Sequence, residues 1–131
     1  QRMSQYLHLR GFTGRPAAIG SHIAGHGINP ALQPTLTRIP ALTLAESYRS
    51  GEEYRYGAAF RNAAVQVLGE ELGERVREDL LILQDVGLDR LGEKEAWLRE
   101  RYAGVDHAGA REIIAWLDGE YRITDEIVQT Q

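Results

Sequence analysis

The chain has 131 residues, 43% of them hydrophobic, with no cysteine and a formal charge of −4. That is enough apolar material for one core without a metal or disulfide staple. The missing cysteine excludes a disulfide framework, a thiolate metal centre and a cysteine nucleophile.

No apolar run approaches the ~18 residues that span a bilayer, and the start, Gln1-Arg2-Met3-Ser4, lacks the apolar stretch of a signal peptide. A single domain over residues 1–131, cytoplasmic and without membrane attachment, is the expectation. The charge is unevenly spread. Residues 1–50 hold five arginines against one acid, Glu46, a formal +4, while 51–131 hold ten basic groups against eighteen acidic ones, a formal −8. Texture changes with charge: residues 1–42 read as a loop-rich basic segment and 43–131 as an acidic helical part.

Taken in order, Tyr6-Leu7-His8-Leu9 suits a short strand that delivers Arg10 into a loop at Gly11. Between Gly11 and Pro40 lie all four prolines, Pro16, Pro30, Pro34 and Pro40. Each removes a donor and restricts the residue before it, so no regular helix or central strand is expected there. Two capping boxes follow, Thr43-Leu44-Ala45-Glu46 and Ser50-Gly51-Glu52-Glu53, each with a hydroxyl at the cap and a glutamate three positions on. They predict a short helix over Leu44 to Arg49 and then a long one. In the long one, Tyr56, Phe60, Ala64, Val67, Leu68, Leu72, Val76, Leu80 and Leu83 form one stripe at helical spacing. Gly69 and Gly73 interrupt that stripe and mark a kink, a break into two helices, or the close approach of a neighbour.

Val86-Gly87 is a helix stop with glycine at the left-handed position. Asp89 or Leu91 opens another helix through Tyr102, with Leu91, Leu98 and Tyr102 inward and Trp97 on its shoulder, ended by Ala103-Gly104. Asp106 is the expected N-cap of a helix holding Ile113, Ile114 and Leu117, and Thr124 caps a last turn. Asp118-Gly119 is also a two-residue hairpin signal, but Ala108 to Glu112 lead into the segment with helix formers, which favours helix.

Few groups point to chemistry. His22 and His26 stand four apart in a cluster of small residues from Gly20 to Gly27. Gly25 and Gly27 argue against the helix that would bring the two imidazoles together, and only His8 and His107 remain to complete a metal set. A glycine-rich loop accounts for the cluster, and neither metal nor cofactor is expected. Arg10, Arg15 and Arg38 stand among few acids, available to an acidic protein surface, to another copy of the chain, or to the phosphates of a nucleotide. An excess of four positive charges over fifty residues is a weak footprint for broad nucleic-acid binding. Tyr48 and Tyr54 are placed to stack on a ring or to pack at a helix edge. Glu120, after Asp118-Gly119, is the candidate acid beside a loop, whereas a solvated helix face accounts for the other acids.

Tyr6-Leu7-His8-Leu9-Arg10-Gly11, then Ala31-Leu32-Gln33-Pro34-Thr35-Leu36-Thr37-Arg38, then the helix from Glu53 through Phe60-Arg61, together resemble the opening of the FRG domain, a family named for an aromatic-Arg-Gly motif. The resemblance implies a bacterial or phage-associated domain with a nucleotide-handling character, and it singles out Arg10 and Arg38.

The fold class that emerges is mainly α, four to five helices in a compact bundle, with a loop-rich N-terminal segment that can add a short strand or hairpin. Two functions stay open. One is a binding domain whose arginine-bearing segment docks an acidic partner or another copy, as a subunit contact in an oligomer. The other is an enzyme of glycosyl or ADP-ribosyl transfer type, in which Arg10 and Arg38 hold phosphates and Glu120 stabilises positive charge at a ribose.

Overall fold

A computed structural model describes residues 2–11 and 32–122. The regular elements among the described residues are helical, and no strand occurs there. Five α-helices run over Arg38–Ser50 (α1), Tyr56–Leu68 (α2), Glu70–Glu78 (α3), Lys94–Tyr102 (α4) and Ala108–Leu117 (α5). The protein is mainly α. Its contacts divide the chain into two compact units, His8–Leu80 and a second made of Gln1–Leu7 with Leu81–Gln131.

In the first unit, α1 begins six residues ahead of the expected Leu44, and Pro40 lies inside it. The reason is local. The Arg38 amide donates to the Thr35 carbonyl at 3.1 Å and the Ile39 amide to the Leu36 carbonyl at 3.1 Å. These tight i−3 bonds occupy the Leu36 carbonyl that Pro40, lacking an N–H, leaves unclaimed, and the first turn of a helix tolerates proline for that reason. Neither capping box forms. Thr43 is fully buried within α1, its hydroxyl bonded to the Pro40 carbonyl at 2.7 Å, and Ser50 closes the helix with its hydroxyl on the Glu46 carboxylate at 2.6 Å.

The long apolar stripe breaks at Gly69, which ends α2 and starts α3 with φ +86°. A left-handed backbone there suits glycine alone among common residues. Four residues on, a Cβ at Gly73 would lie 3.0 Å from the Ala64 carbonyl carbon and oxygen and from the Val65 amide nitrogen. The two glycines therefore do different work: Gly69 reverses the chain, and Gly73 lets α3 rest directly on the backbone of α2. Ala59, Phe60, Ala63, Ala64, Val67 and Leu68 from α2, with Leu72 and Val76 from α3 and Ile39 and Leu44 from α1, make the core of this unit.

The second unit is built on Trp116, Tyr102, Leu98, Ile113 and Leu83, all 1% exposed or less. The N-terminal residues are part of it. A 3-10 turn, Arg2–Gln5, precedes Tyr6; the Ser4 carbonyl accepts from the Trp116 indole at 3.1 Å, and the Gln5 side chain accepts from the Asp89 amide at 2.9 Å. Leu7 donates its amide to the Leu83 carbonyl at 3.1 Å, on the π-helical turn Ile82–Val86. The Tyr6–Leu9 strand is thus not formed: residues 7–11 are irregular, and Leu7 is tied to a helical turn rather than to a neighbouring strand.

Gly87 stops the turn as expected, at φ +93°, and Leu91, Leu98 and Tyr102 face inward. The cap of α5 is a correction. His107, not Asp106, sits at the N-cap, its Nδ1 accepting from the Gly109 amide at 2.9 Å, while Asp106 pairs with Arg111 at 3.0 Å. Asp118-Gly119 closes α5 instead of turning a hairpin. The Glu120 amide reaches the Ala115 carbonyl at 3.1 Å and the Gly119 amide reaches that of Trp116 at 3.0 Å, the paired bonds of a Schellman stop. Thr124 lies outside the described residues.

Two outcomes test these contacts. Gly73→Ala gains up to ~1 kcal/mol of helix propensity but must push α3 off the α2 backbone, and it is expected to lower stability by a net ~1–2 kcal/mol; a urea midpoint equal to or above that of the wild type would show that the approach is not tight. His107→Ala is expected to cost ~1 kcal/mol by removing the cap. His107→Asp keeps an acceptor and adds a favourable charge at the helix start, so it should melt no lower than the wild type, and equal melting of the two variants would refute the capping role.

Candidate functional site

The arginines divide by what they touch. In α2 and α3, Arg61 reaches Glu74 at 3.0 Å, Arg77 reaches the same carboxylate at 2.8 Å, and Arg75 reaches Glu71 at 3.3 Å. Arg49 pairs with Glu46 in α1. In the other unit Arg99 holds Asp118 at 2.7 Å and Glu95 at 3.6 Å, and Arg122 holds Asp89 at 2.7 Å. Most of these pairs are local, three or four residues apart on one helix, where opposite charges meet by geometry. Their electrostatic effect is visible in the titrating groups. The Arg77 guanidinium, followed by Arg61, holds the Glu74 carboxyl below its ordinary value, and the Ser50 hydroxyl and Arg49 do the same for Glu46. Asp118 raises Arg99.

Arg38 differs. It opens α1, it is exposed, no acid occupies the first turn of that helix, and its side chain has no carboxylate partner among the described residues. A cation there adds to the positive end of the helix dipole rather than offsetting it. The structure thus spends a small electrostatic cost at Arg38 that it avoids at Arg61, Arg77 and Arg99.

Arg10 is carried by an irregular segment in which buried and more exposed residues alternate. Leu9 is fully buried, Gly11 is buried, and Arg10 between them is exposed. Gly11 fixes the segment in place. A Cβ there would lie 2.9 Å from Thr43 Cγ2 and Oγ1 and 3.0 Å from the Tyr56 ring, so only a glycine fits between α1 and the start of α2. The seat beneath it is polar. Thr43 is hydrogen-bonded to the Tyr54 hydroxyl, and burial, with smaller contributions from Tyr56 and Glu46, pushes that hydroxyl above its ordinary value despite the Thr43 bond. Tyr54 stays a neutral donor. The Tyr56 ring packs 6.4 Å from that of Phe60, and its hydroxyl is buried without a hydrogen-bond partner among the described residues.

The seat joins Arg10 to the helix that Arg38 opens, since Gly11 meets α1 at Thr43, about one and a half turns after Arg38. Tyr48 is half-buried on α1, as an edge-packing tyrosine would be. Arg15, His22 and His26 lie outside the described residues. Glu120 belongs to the other unit, where it is exposed and its backbone completes the stop of α5. Nearby Tyr121 is pushed up by burial first, then by Glu112 and Glu120.

No group of three or more histidine, aspartate or glutamate side chains is placed to hold a metal among the described residues. No helix there is long and apolar enough to cross a membrane. Sequence reasoning read Thr43 as a helix cap and Tyr54 as a stacking or edge-packing tyrosine and missed the seat they form, because Gly11 and Thr43 meet across more than thirty residues of chain; the Arg-Gly pair was the one local signal of a close backbone approach. No protein-family model, curated protein or solved structure matches the chain.

Proposed function

We propose that the chain is a helical binding domain that docks on an acidic protein surface through the arginine-bearing N-terminal segment, with Arg38 as the principal contact. The observation that supports this reading is the position of Arg38: exposed at the start of a thirteen-residue helix and without a carboxylate partner among the described residues, whereas Arg61 and Arg77 are held by Glu74 and Arg99 by Asp118. An arginine so placed offers a planar, bidentate donor set to a carboxylate, and the uncancelled dipole of α1 favours the same sign of partner. Attraction of this kind sets the encounter rate and is strongly screened by salt.

Binding of the chain to immobilised polyglutamate at low and at high ionic strength tests the proposal. Arg38→Glu is expected to weaken retention about tenfold, the scale of a charge reversal at a partly desolvated pair. Arg61→Gln, which touches an arginine already held by Glu74, should leave it within about twofold. Equal losses for both variants, or retention that ignores salt, would contradict the proposal. The nucleotide-handling alternative gives a different result: a nucleotide at a hundred times its dissociation constant adds ~2.7 kcal/mol of stability, while polyglutamate adds none.

A further inference from the structure

α4 turns an unusual face outward. Trp97 is 42% exposed, one of the few large apolar side chains left in solvent, and the Arg101 guanidinium carbon sits 4.6 Å from its ring centroid. Glu93, at the helical N-cap of α4, continues the same screw. At about 100° per residue, Glu93 and Glu100 fall roughly 40° and 60° to one side of Trp97, and Arg101 and Lys94 roughly 40° and 60° to the other. Glu93, Lys94 and Glu100 are exposed and have no ion-pair partner among the described residues. One short helix thus presents three parallel stripes: an acidic flank, an aromatic ridge and a basic flank. Arg99, with its partners Glu95 and Asp118, lies away from this face.

We propose that α4 is a self-association surface, on which a second copy of the chain packs its own α4 in parallel, with Trp97 against Trp97. The charge pattern selects both the partner and the direction. A two-fold axis running along the helices carries the acidic flank of one copy onto the basic flank of the other, placing Glu93 opposite Lys94 and Glu100 opposite Arg101 of the second copy, twice each. The antiparallel arrangement juxtaposes acid with acid and base with base, and is disfavoured. Leu98 and Tyr102 are buried and mark the core side of α4 roughly 120° from Trp97, so the core of this unit lies behind the contact and does not obstruct it. Tryptophan supplies the anchor, as it commonly does at the centre of interfaces, and the exposed ion pairs supply register more than strength. A helix of nine residues buries little, so the association is weak and reversible. It uses none of the residues that dock an acidic partner through Arg38.

Sedimentation of the full chain over a range of concentrations tests the inference. The average mass is expected to rise from one copy towards two. Trp97→Ala should abolish the rise while circular dichroism shows the helices retained. Lys94→Glu, a surface change that leaves the core untouched, should weaken the dimer roughly tenfold, because it turns two attractive contacts repulsive, and Glu93→Lys combined with Lys94→Glu should restore it. A single mass at every concentration overturns the inference. So does a Lys94→Glu variant that associates equally or more tightly, the second being the signature of antiparallel packing, and so does loss of association in Arg38→Glu, which would place the contact elsewhere.

Discussion

The contact on which the first unit depends is the one between α3 and the backbone of α2 at Gly73. Because Gly69 reverses the chain and Gly73 carries no side chain, α3 rests within van der Waals distance of Ala64 and Val65. That leaves Phe60, Ala63 and Val67 to close the core against α1. With α1 and α2 held, Thr43 and Tyr56 form the walls of the seat that accepts Gly11, and the seat in turn fixes where Arg10 leaves the core. A backbone approach of this kind transmits position with little slack, because packed interiors resist displacement. The chain of dependence runs from two glycines to one exposed cation.

Electrostatics then separate the surface into groups that are already answered and groups that are not. Local pairing over three or four residues neutralises Arg49, Arg75 and Arg77, and longer pairings hold Arg61, Arg99 and Arg122. Each such exposed pair contributes little to stability, but together they remove most of the helical arginines from competition for an outside partner. Among the described residues Arg38 at the start of α1, Arg55, Arg90 and Lys94 on the flank of Trp97 are left exposed without a carboxylate, and Arg38 alone of the three arginines is the first residue of an α-helix. The formal −8 of residues 51–131 is thus not a uniform acidic field able to absorb every cation of the first fifty residues.

Much of the helical layout was legible. Leu91, Leu98 and Tyr102 were readable as an inward face and Trp97 as its shoulder, because 3.6-residue spacing survives packing. The scarcity of acids in the first half marked Arg10, Arg15 and Arg38 alike, and did not separate Arg38 from the other two. The start of α1 was not legible. Pro34 and Pro40 read as breakers, yet a proline in the first turn costs nothing when the carbonyl it would have needed is taken by a 3-10 bond from Ile39. Gln33-Pro34 was the available signal of an early start, with proline just inside the turn that leads into α1. Thr43 and Ser50 matched the capping pattern, but burial and a carbonyl or carboxylate within their own helix claimed both hydroxyls. His107 displaced Asp106 because its ring nitrogen reached the Gly109 amide while the aspartate turned to Arg111. The seat of Gly11 required contacts between distant residues, which periodicity does not encode.

The division of the arginines into answered and unanswered groups is the central claim, and NMR of the arginine side-chain Nε–Hε groups during titration with polyglutamate tests it most directly. The account predicts that Arg38 shifts first and furthest, while Arg61, Arg77 and Arg99, held by Glu74 and Asp118, stay within the spectral noise until the ion pairs themselves are screened. A titration in which those three move together with Arg38, or ahead of it, would contradict it.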